Sequence, residues 1–472
     1  MRDRRDEEFE ELRATIAKLL KVIEQQAARI AELEEKLRQS SSNSSKPPSS
    51  DGPGAKPAPK KKPTGRGPGG QPGHERKERA LLPREKVTHH HVVTPKRCEK
   101  CSTSLHGKDP DPTHRQFFEL PTVQPIVTEY ALHALTCPNC RHVTRAPLPD
   151  DAPERTLGSS VDAVIALLMG AYRLGKRSVA DAMLAIYGLP ISIGEVVNAQ
   201  NRVSEAIAES VDEARAIAQH ALVKYADETS WRQARKRCWL WTCVTADVTV
   251  FLVHARRNNV VARLLLGAET RGALVSDRHG GYNYWPDDRH QFCWSHLIRD
   301  LTAIEERGGT SAMHGRAILN DVAHMFDHWH RLKDGDINRC NFRLLMQPIQ
   351  ERIEAQLAIA MNDSNSKTAK TCTNIYNHKI SLWTFVRIEG VEPTNNAAER
   401  AVRHAVIYRK LSYGTASELG SRFVERILTV YATLRQQGRN VLEFLHETCR
   451  AHRTRRATPS LLPRASPFAL AA

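Results

Sequence analysis

The sequence predicts a multidomain α+β protein, and three observations carry that prediction. A heptad of apolar residues runs through the first forty positions, two Cys-x-x-Cys pairs follow a Ser/Pro/Gly-rich stretch, and short apolar runs ending in acid alternate with helical patterns from Ala221 onward. A chain of 472 residues allows roughly two to four domains. The 69 Lys and Arg outnumber the 53 Asp and Glu, a net charge of +16, which predicts a polyanionic partner. The longest nearly apolar run, Val161 to Tyr172, is interrupted by Asp162 and falls short of the roughly 20 residues of a membrane span. An integral membrane protein is therefore excluded, and no membrane partner is expected. The first eight residues are mostly charged and carry no apolar signal core, so a cytoplasmic setting is expected.

Residues 1–39 read as a coiled-coil helix. Phe9, Ile16, Ile23, Ile30 and Leu37 fill one seam position, and Leu12, Leu19, Gln26 and Leu33 the other. A strict 3.5-residue repeat imposes a supercoil with a partner helix, and Ile with Leu in the two positions favours two parallel strands. Gln26 sets register at some cost in stability. Self-association, as a homodimer or higher, is the expected consequence. Residues 40–80 are a basic Ser/Pro/Gly linker with too little apolar surface to offset ordering. Its Lys60, Lys61 and Lys62 suit phosphate backbones, while a plain solvated spacer has the same composition.

Residues 81–150 hold Cys98-Glu99-Lys100-Cys101 and Cys137-Pro138-Asn139-Cys140. Four thiolates in two matched knuckles point to a closed, structural Zn2+ site, with redox pairs as the alternative. Between them, 115–118 and 123–133 have strand character, so a hairpin closed at its base by zinc is expected. His89, His90 and His91 cannot all face one metal and read as surface strand. Residues 155–218 are helical. Ser178 to Tyr187, the turn Gly188-Leu189-Pro190 and a helix capped by Ser192 make a helix-turn-helix pattern, with Lys176, Arg177 and Arg202 available for phosphates. The same pattern suits a packing scaffold.

From 219 the order is strand, strand, strand, helix, strand, helix. The runs 221–229 and 272–277 end in Asp227 and Asp277; 238–244, 248–254 and 290–296 complete the strands, and 258–268 is the intervening helix. This order fits a mixed α/β sheet of the ribonuclease H type, with the first and fourth strands adjacent and the two acids at one edge. Two like charges there call for hard divalent cations held through oxygen. Glu399, in the first turn of a helix over 397–408 capped by Thr394 or an Asn, supplies a third acid. Arg400, Arg403, Arg409 and Lys410 line the same stretch and suit DNA. The catalytic domain then comprises 219–309 and 391–450, interrupted by a helical insertion at 310–390 whose Ile318, Val322, Phe326, Trp329, Leu345, Ile353 and Leu357 read as core. His296 and Arg299 are in reach of a phosphate, or His296 is a satisfied structural residue. Phe423, Ile427, Leu428, Tyr431 and Leu434 mark a closing helix packed beneath the sheet. Residues 451–472 are a tail.

Several segments, in order, resemble the transposases of the insertion sequence sixty-six family. They are Ser44-Ser45-Lys46-Pro47-Pro48-Ser49-Ser50-Asp51, Pro68-Gly69-Gly70-Gln71-Pro72-Gly73-His74, the two Cys pairs, and Ala226-Asp227-Glu228-Thr229. Pro393-Thr394-Asn395-Asn396-Ala397-Ala398-Glu399-Arg400 and Gln436-Gln437-Gly438-Arg439-Asn440-Val441-Leu442 complete the set. Asp277 to Tyr282 matches the family's Asp-x-x-x-x-Tyr pattern. The resemblance implies a leucine zipper, a zinc-binding module and catalytic acids at Asp227, Asp277 and Glu399. It also implies two Mg2+ ions (Mn2+ as the alternative), element-end and target DNA as substrates, and cleavage followed by 3′-hydroxyl strand transfer. Small accessory proteins of the same element and a bacterial, nucleoid-associated location are further implications. A non-catalytic DNA-binding regulator, or a decayed copy, is the competing expectation.

Overall fold

The structure is a computed structural model that describes residues 2–38, 79–149, 152–153 and 155–463. Lys60, Lys61 and Lys62 lie outside the described residues. Of those described, 79–126 belong to one compact unit and the remainder to a second. No helix among them is long and apolar enough to cross a membrane.

Helix α1, Arg2–Arg38, is continuous, as an uninterrupted heptad without Gly or Pro dictates. Its seam residues Ile16, Leu19, Ile23, Ile30 and Leu33 are all exposed.

In the unit that holds 79–126, order is local. Gln116 bonds both the backbone N–H and C=O of Leu82 (2.8 and 2.9 Å), and Arg79 lies over the Phe118 ring. The first knuckle is a tight turn: Ser102 N donates to Cys98 O and Cys98 N to Thr103 O, both at 2.9 Å, with Arg97 bridged to Ser104. In the other unit the second knuckle repeats that turn, Arg141 N to Cys137 O at 2.9 Å and Cys137 N to His142 O at 2.8 Å. The residue after each second cysteine is left-handed, Ser102 at φ 57° and Arg141 at φ 60°. Strands β1 (Ala134–Thr136) and β2 (Val143–Arg145) extend the second turn into a short antiparallel hairpin.

The expected strands at 115–118 and 123–133 do not form. That backbone enters no ladder, and Phe117, Ile126 and Val127 are almost fully exposed. Alternation alone cannot hold a strand that has neither a partner nor a core to cover. His89, His90 and His91 are exposed on irregular backbone rather than in a strand.

The main body is a mixed five-stranded sheet packed with helices. Four helices come first: α2 (Ser159–Gly170), α3 (Lys176–Tyr187), α4 (Ile193–Ala206) and α5 (Ala208–His220). Gly188 ends α3 at φ 63°, and the Ser192 hydroxyl caps α4 by accepting from Glu195 N at 3.0 Å. Strands β3 (Val223–Gln233), β4 (Lys236–Val244) and β5 (Thr249–His254) form an antiparallel meander. After α6 (Asn259–Leu266), β6 (Ala273–Ser276) and β7 (His290–Phe292) add parallel to β3, giving the order β5-β4-β3-β6-β7. Helices α7 (Trp294–Glu305), α8 (Gly309–Lys333), α9 (Arg339–Ala360), α10 (Ser366–Asn377) and the short α11 (Thr384–Arg387) follow. The chain returns through α12 (Asn396–Ser412), α13 (Glu418–Gln436) and α14 (Val441–Arg453).

Two apolar cores result. The first joins α2–α6, α12–α14 and the meander. The second joins β6 and β7 to α7–α11, and buries Ile318, Val322, Trp329, Ile353 and Leu357 as expected, with Phe326 partly buried against it. The helices of 155–218 thus share a core with the sheet. Helix α13 lies along the edge strand β5 rather than beneath the sheet. Val253 N, Phe251 N and Thr249 N donate to Glu425, Thr429 and Thr433 at 2.9, 3.0 and 3.1 Å. Four helical residues rise about 6 Å and two strand residues about 6.7 Å, so three rungs stay in step. This ladder satisfies an edge that would otherwise pair with another chain. Beyond α14 the chain stays packed, with Leu461 fully buried, so the expected tail begins later than 451.

Candidate active site

The sheet brings the first two acids to one level. Val223, Lys224 and Tyr225 of β3 lie opposite Ala273, Leu274 and Val275 of β6. Carried two residues further, that register sets Asp227 opposite Asp277. Likewise Ser276 lies opposite Phe292, so Cys293 follows at the same level on the next strand. The β7 backbone continues this alignment, with Cys293 N donating to Ser276 O at 2.8 Å.

Asp227 accepts from Glu228 N (2.9 Å) and Asp277 from His279 N (3.0 Å). Burial pushes the Asp227 carboxyl well above its usual range. Glu228, Asp277 and, more weakly, Glu399 push the same way, and the Glu228 amide opposes them. Asp277 and Glu399 therefore both lie within electrostatic reach of Asp227, which carries the cost. A cation among them removes that cost.

Glu228 points to the opposite face of β3, as alternation requires. It is buried and accepts from Arg257 Nε (2.8 Å) and from the Tyr282 hydroxyl. The tyrosine of the Asp-x-x-x-x-Tyr pattern is thus an anchor under the sheet, fixing the strand residue beside Asp227. Glu228 was not among the expected site residues. Its adjacency to Asp227 was the available signal.

Glu399 is positioned by a clamp at each end of α12. At the N-terminus Asn395 is fully buried. Its Nδ2 donates to Ala226 O at 2.7 Å, its backbone N–H to Cys293 Sγ at 3.1 Å, and its carbonyl accepts from Glu399 N at 3.1 Å. Trp294 N donates to Pro393 O at 2.9 Å. Asn395 occupies the N-cap position, but its side chain bonds the sheet rather than the helix. At the C-terminus Thr415 N donates to Arg232 O and Ala234 N to Thr415 O (2.9 and 2.8 Å). Gly414 permits this approach: it sits at φ +103°, and a Cβ there would lie 2.2 Å from Arg232 O.

Glu399 Oε1 and His296 Nδ1 are buried 3.6 Å apart, and neither has a hydrogen-bond partner among the described residues. Asn395 Oδ1 is likewise unpartnered. His296 is therefore not a satisfied structural histidine. With Cys293 and Glu399 it forms a trio whose ligand-type atoms lie within 4.8 Å of one another. The orphaned acceptors and the raised Asp227 fit cation binding at this corner.

Of the expected phosphate contacts, Lys176, Arg177, Arg400, Arg403 and Lys410 are exposed. Two expectations are corrected. Arg202 is held by Asp162 (2.5 Å) and Glu195 (2.7 Å), and Arg453 joins Asp162 at 2.9 Å, because buried Asp162 needs countercharge. Arg409 donates to Thr229 Oγ1 (3.2 Å) and Ser230 O (2.5 Å), tying α12 to β3. Both guanidinium groups are engaged within the protein. Each cysteine pair is turned as a ligand knuckle should be. The Cys101 thiol is lowered by the Thr103 hydroxyl, and Cys137 by the backbone amides of Cys140 and Asn139.

Residues 2–80 match a family of unknown function, DUF6444. A curated relative, described as the uncharacterized protein y4qI of Sinorhizobium fredii (strain NBRC 101917 / NGR234), is 24% identical over 241 residues. That stretch is 45% of this chain and 43% of the relative, so the chain spans less than half of that protein's length. Residues 159–422, more than half of the chain, match the Transposase IS66 family, and the matched stretch holds Asp227, Asp277, Glu399 and both clamps of α12. The chain therefore belongs to the IS66 family of transposases.

Proposed function

We propose that the protein cleaves DNA at the ends of an insertion element and joins the freed 3′-hydroxyl to target DNA. The observation that supports this reading is the β3–β6 register, which carried two residues on sets Asp227 opposite Asp277, together with the raised Asp227 carboxyl, on which burial acts first, then Glu228 and Asp277, and Glu399 more weakly. The strand order, an antiparallel meander followed by two strands parallel to its first, supports a ribonuclease H-like catalytic domain.

Asp227, Asp277 and Glu399 would hold two divalent cations, Mg2+ or Mn2+, which when bound supply an activated oxygen nucleophile, neutralised charge at phosphorus and a stabilised leaving oxygen. Asp227, inside the central strand β3, is the shared ligand. Tyr282, through Glu228, and Asn395, through Ala226, hold the backbone on either side of it. Arg400, Arg403 and Lys410 of α12 position the phosphate backbone. Lys176 and Arg177, at the start of α3, add a second basic point. The α1 seam pairs two copies, the four knuckle cysteines hold a structural Zn2+, and the Lys60–Lys62 tether adds affinity without reading sequence. The reaction takes place on bacterial DNA in the cytoplasm, with small proteins of the same element as additional partners.

The test combines purified full-length protein, Mg2+, labelled element ends and a plasmid target. Joined products are expected, and Asp227→Asn is expected to reduce them by at least about 10³-fold with DNA binding retained. Binding without cleavage would instead favour a regulator, and cleavage without joining a nuclease.

A further inference from the structure

We propose that Cys293, His296 and Glu399 form a mixed sulfur, nitrogen and oxygen ligand set for a borderline divalent cation of the Zn2+ or Co2+ type. The proposal rests on the reading of Glu399 as a metal ligand, but not on strand transfer. It assigns His296 to the metal rather than to a DNA phosphate.

The local fold builds this set. Strand β7 ends at Phe292, and α7 starts at Trp294. Cys293 is therefore the N-cap residue and His296 lies three residues on, on the same side of the first turn. His296 N donates to Cys293 O at 3.0 Å, which fixes that turn. Glu399 arrives from α12, placed by Asn395.

The spacing favours a shared ion over an ion pair. A charge-assisted histidine–carboxylate bond closes to about 2.8 Å. His296 Nδ1 and Glu399 Oε1 instead stand 3.6 Å apart, both buried and both without a partner. Two donors each about 2.1 Å from one tetrahedral ion lie about 3.4 Å apart. Cys293 Sγ accepts the Asn395 N–H at 3.1 Å, an outer bond of the kind that orients a metal-bound thiolate. On binding, the thiol proton leaves to solvent. Thiol and imidazole together favour a softer ion than an all-carboxylate set does.

Full-length protein is titrated with Co2+ and followed by visible absorption, alongside His296→Ala and the near-isosteric Cys293→Ser. The four knuckle cysteines are common to all three and cancel in the differences. Wild type is expected to take up one more Co2+ equivalent than His296→Ala. Cys293→Ser is expected to bind that equivalent at least tenfold more weakly and without its sulfur-to-cobalt charge-transfer band. Melting in metal-free buffer checks folding, and Cys293→Ser decides the matter should His296→Ala fold poorly. Identical stoichiometry and spectra in wild type and Cys293→Ser would overturn the proposal. Asp227→Asn, titrated in parallel, is expected to keep the equivalent. A chain without strand-transfer activity that still shows the cobalt difference would sink the proposed function and leave this site standing.

Discussion

The acid corner and the cysteine knuckles both gather ligand-type residues, but different forces hold them. Each knuckle is closed by two local backbone bonds and one left-handed residue, with Cys101 and Cys140 exposed. Nearby apolar side chains such as Phe117 and Ile126 cover nothing. At the corner, Asn395 bonds Ala226 and Cys293, and Arg409 bonds Thr229 and Ser230, groups far apart in sequence. One region is ordered by local turns. The other is preformed by contacts between distant elements.

The hardest blow to that contrast is Asn395→Ala. It leaves the Ala226 carbonyl buried and unpaired and opens a void between β3 and α12. A loss of about 1–3 kcal/mol is expected in denaturant unfolding. Strand transfer should fall further than stability implies, by roughly 10²-fold, because Glu399 loses its placement. Wild-type joining by a destabilised Asn395→Ala would show that the packing of α12 alone positions the third acid.

A subtler effect sharpens the comparison through pH. The folded Asp227 carboxyl lies above its ordinary value of 3.8, through burial first and neighbouring acids second. An acid raised on folding costs nothing below its unfolded pKa. It costs progressively more as pH climbs from there through the raised folded value, where the unfolded chain ionises and the folded one resists. Metal-free wild type should therefore lose stability relative to Asp227→Asn as pH rises from about 4 toward 7. At pH 7 the variant should be the more stable. Saturating Mg2+ should narrow the gap. Parallel melting curves across pH would mean that the acids do not oppose one another.

What could be read from sequence divides along the same line. Elements that carry their own signal were legible: the Ser192 cap of α4, the three meander strands, the acid-ended run at Asp277, and the heptad of α1, whereas Asp227, expected at a strand end, lies inside β3. The pairing of β3 with β6 was legible too, because the order strand, strand, strand, helix, strand fits a sheet whose first and fourth strands are adjacent. Illegible features depend on partners distant in the chain. Nothing local marks Arg202 as countercharge to Asp162, or Asn395 as a clamp rather than a cap. The alternating residues at 123–133 read as strand because period-2 patterning is a local property, whereas a ladder needs a neighbour. Cys293 and His296 were visible as residues. Their meeting with Glu399 was not, because it depends on where α12 lands.

The smallest expected effect tests the knuckles directly. Cys98→Ser removes one of four sulfurs in a segment that makes few core contacts of its own. In zinc-loaded full-length protein it should lower the zinc content by one equivalent, since three thiolates at a closed tetrahedral site bind far more weakly than four. The main unfolding transition, which reports the cores around the sheet, should shift by no more than about 0.5 kcal/mol, as for a substitution outside any packed contact. Element-end binding should weaken more than the melt does. A fall in the main transition as large as that of Asn395→Ala would mean that the knuckles brace the body, and the division between turn-held and core-held regions would not stand.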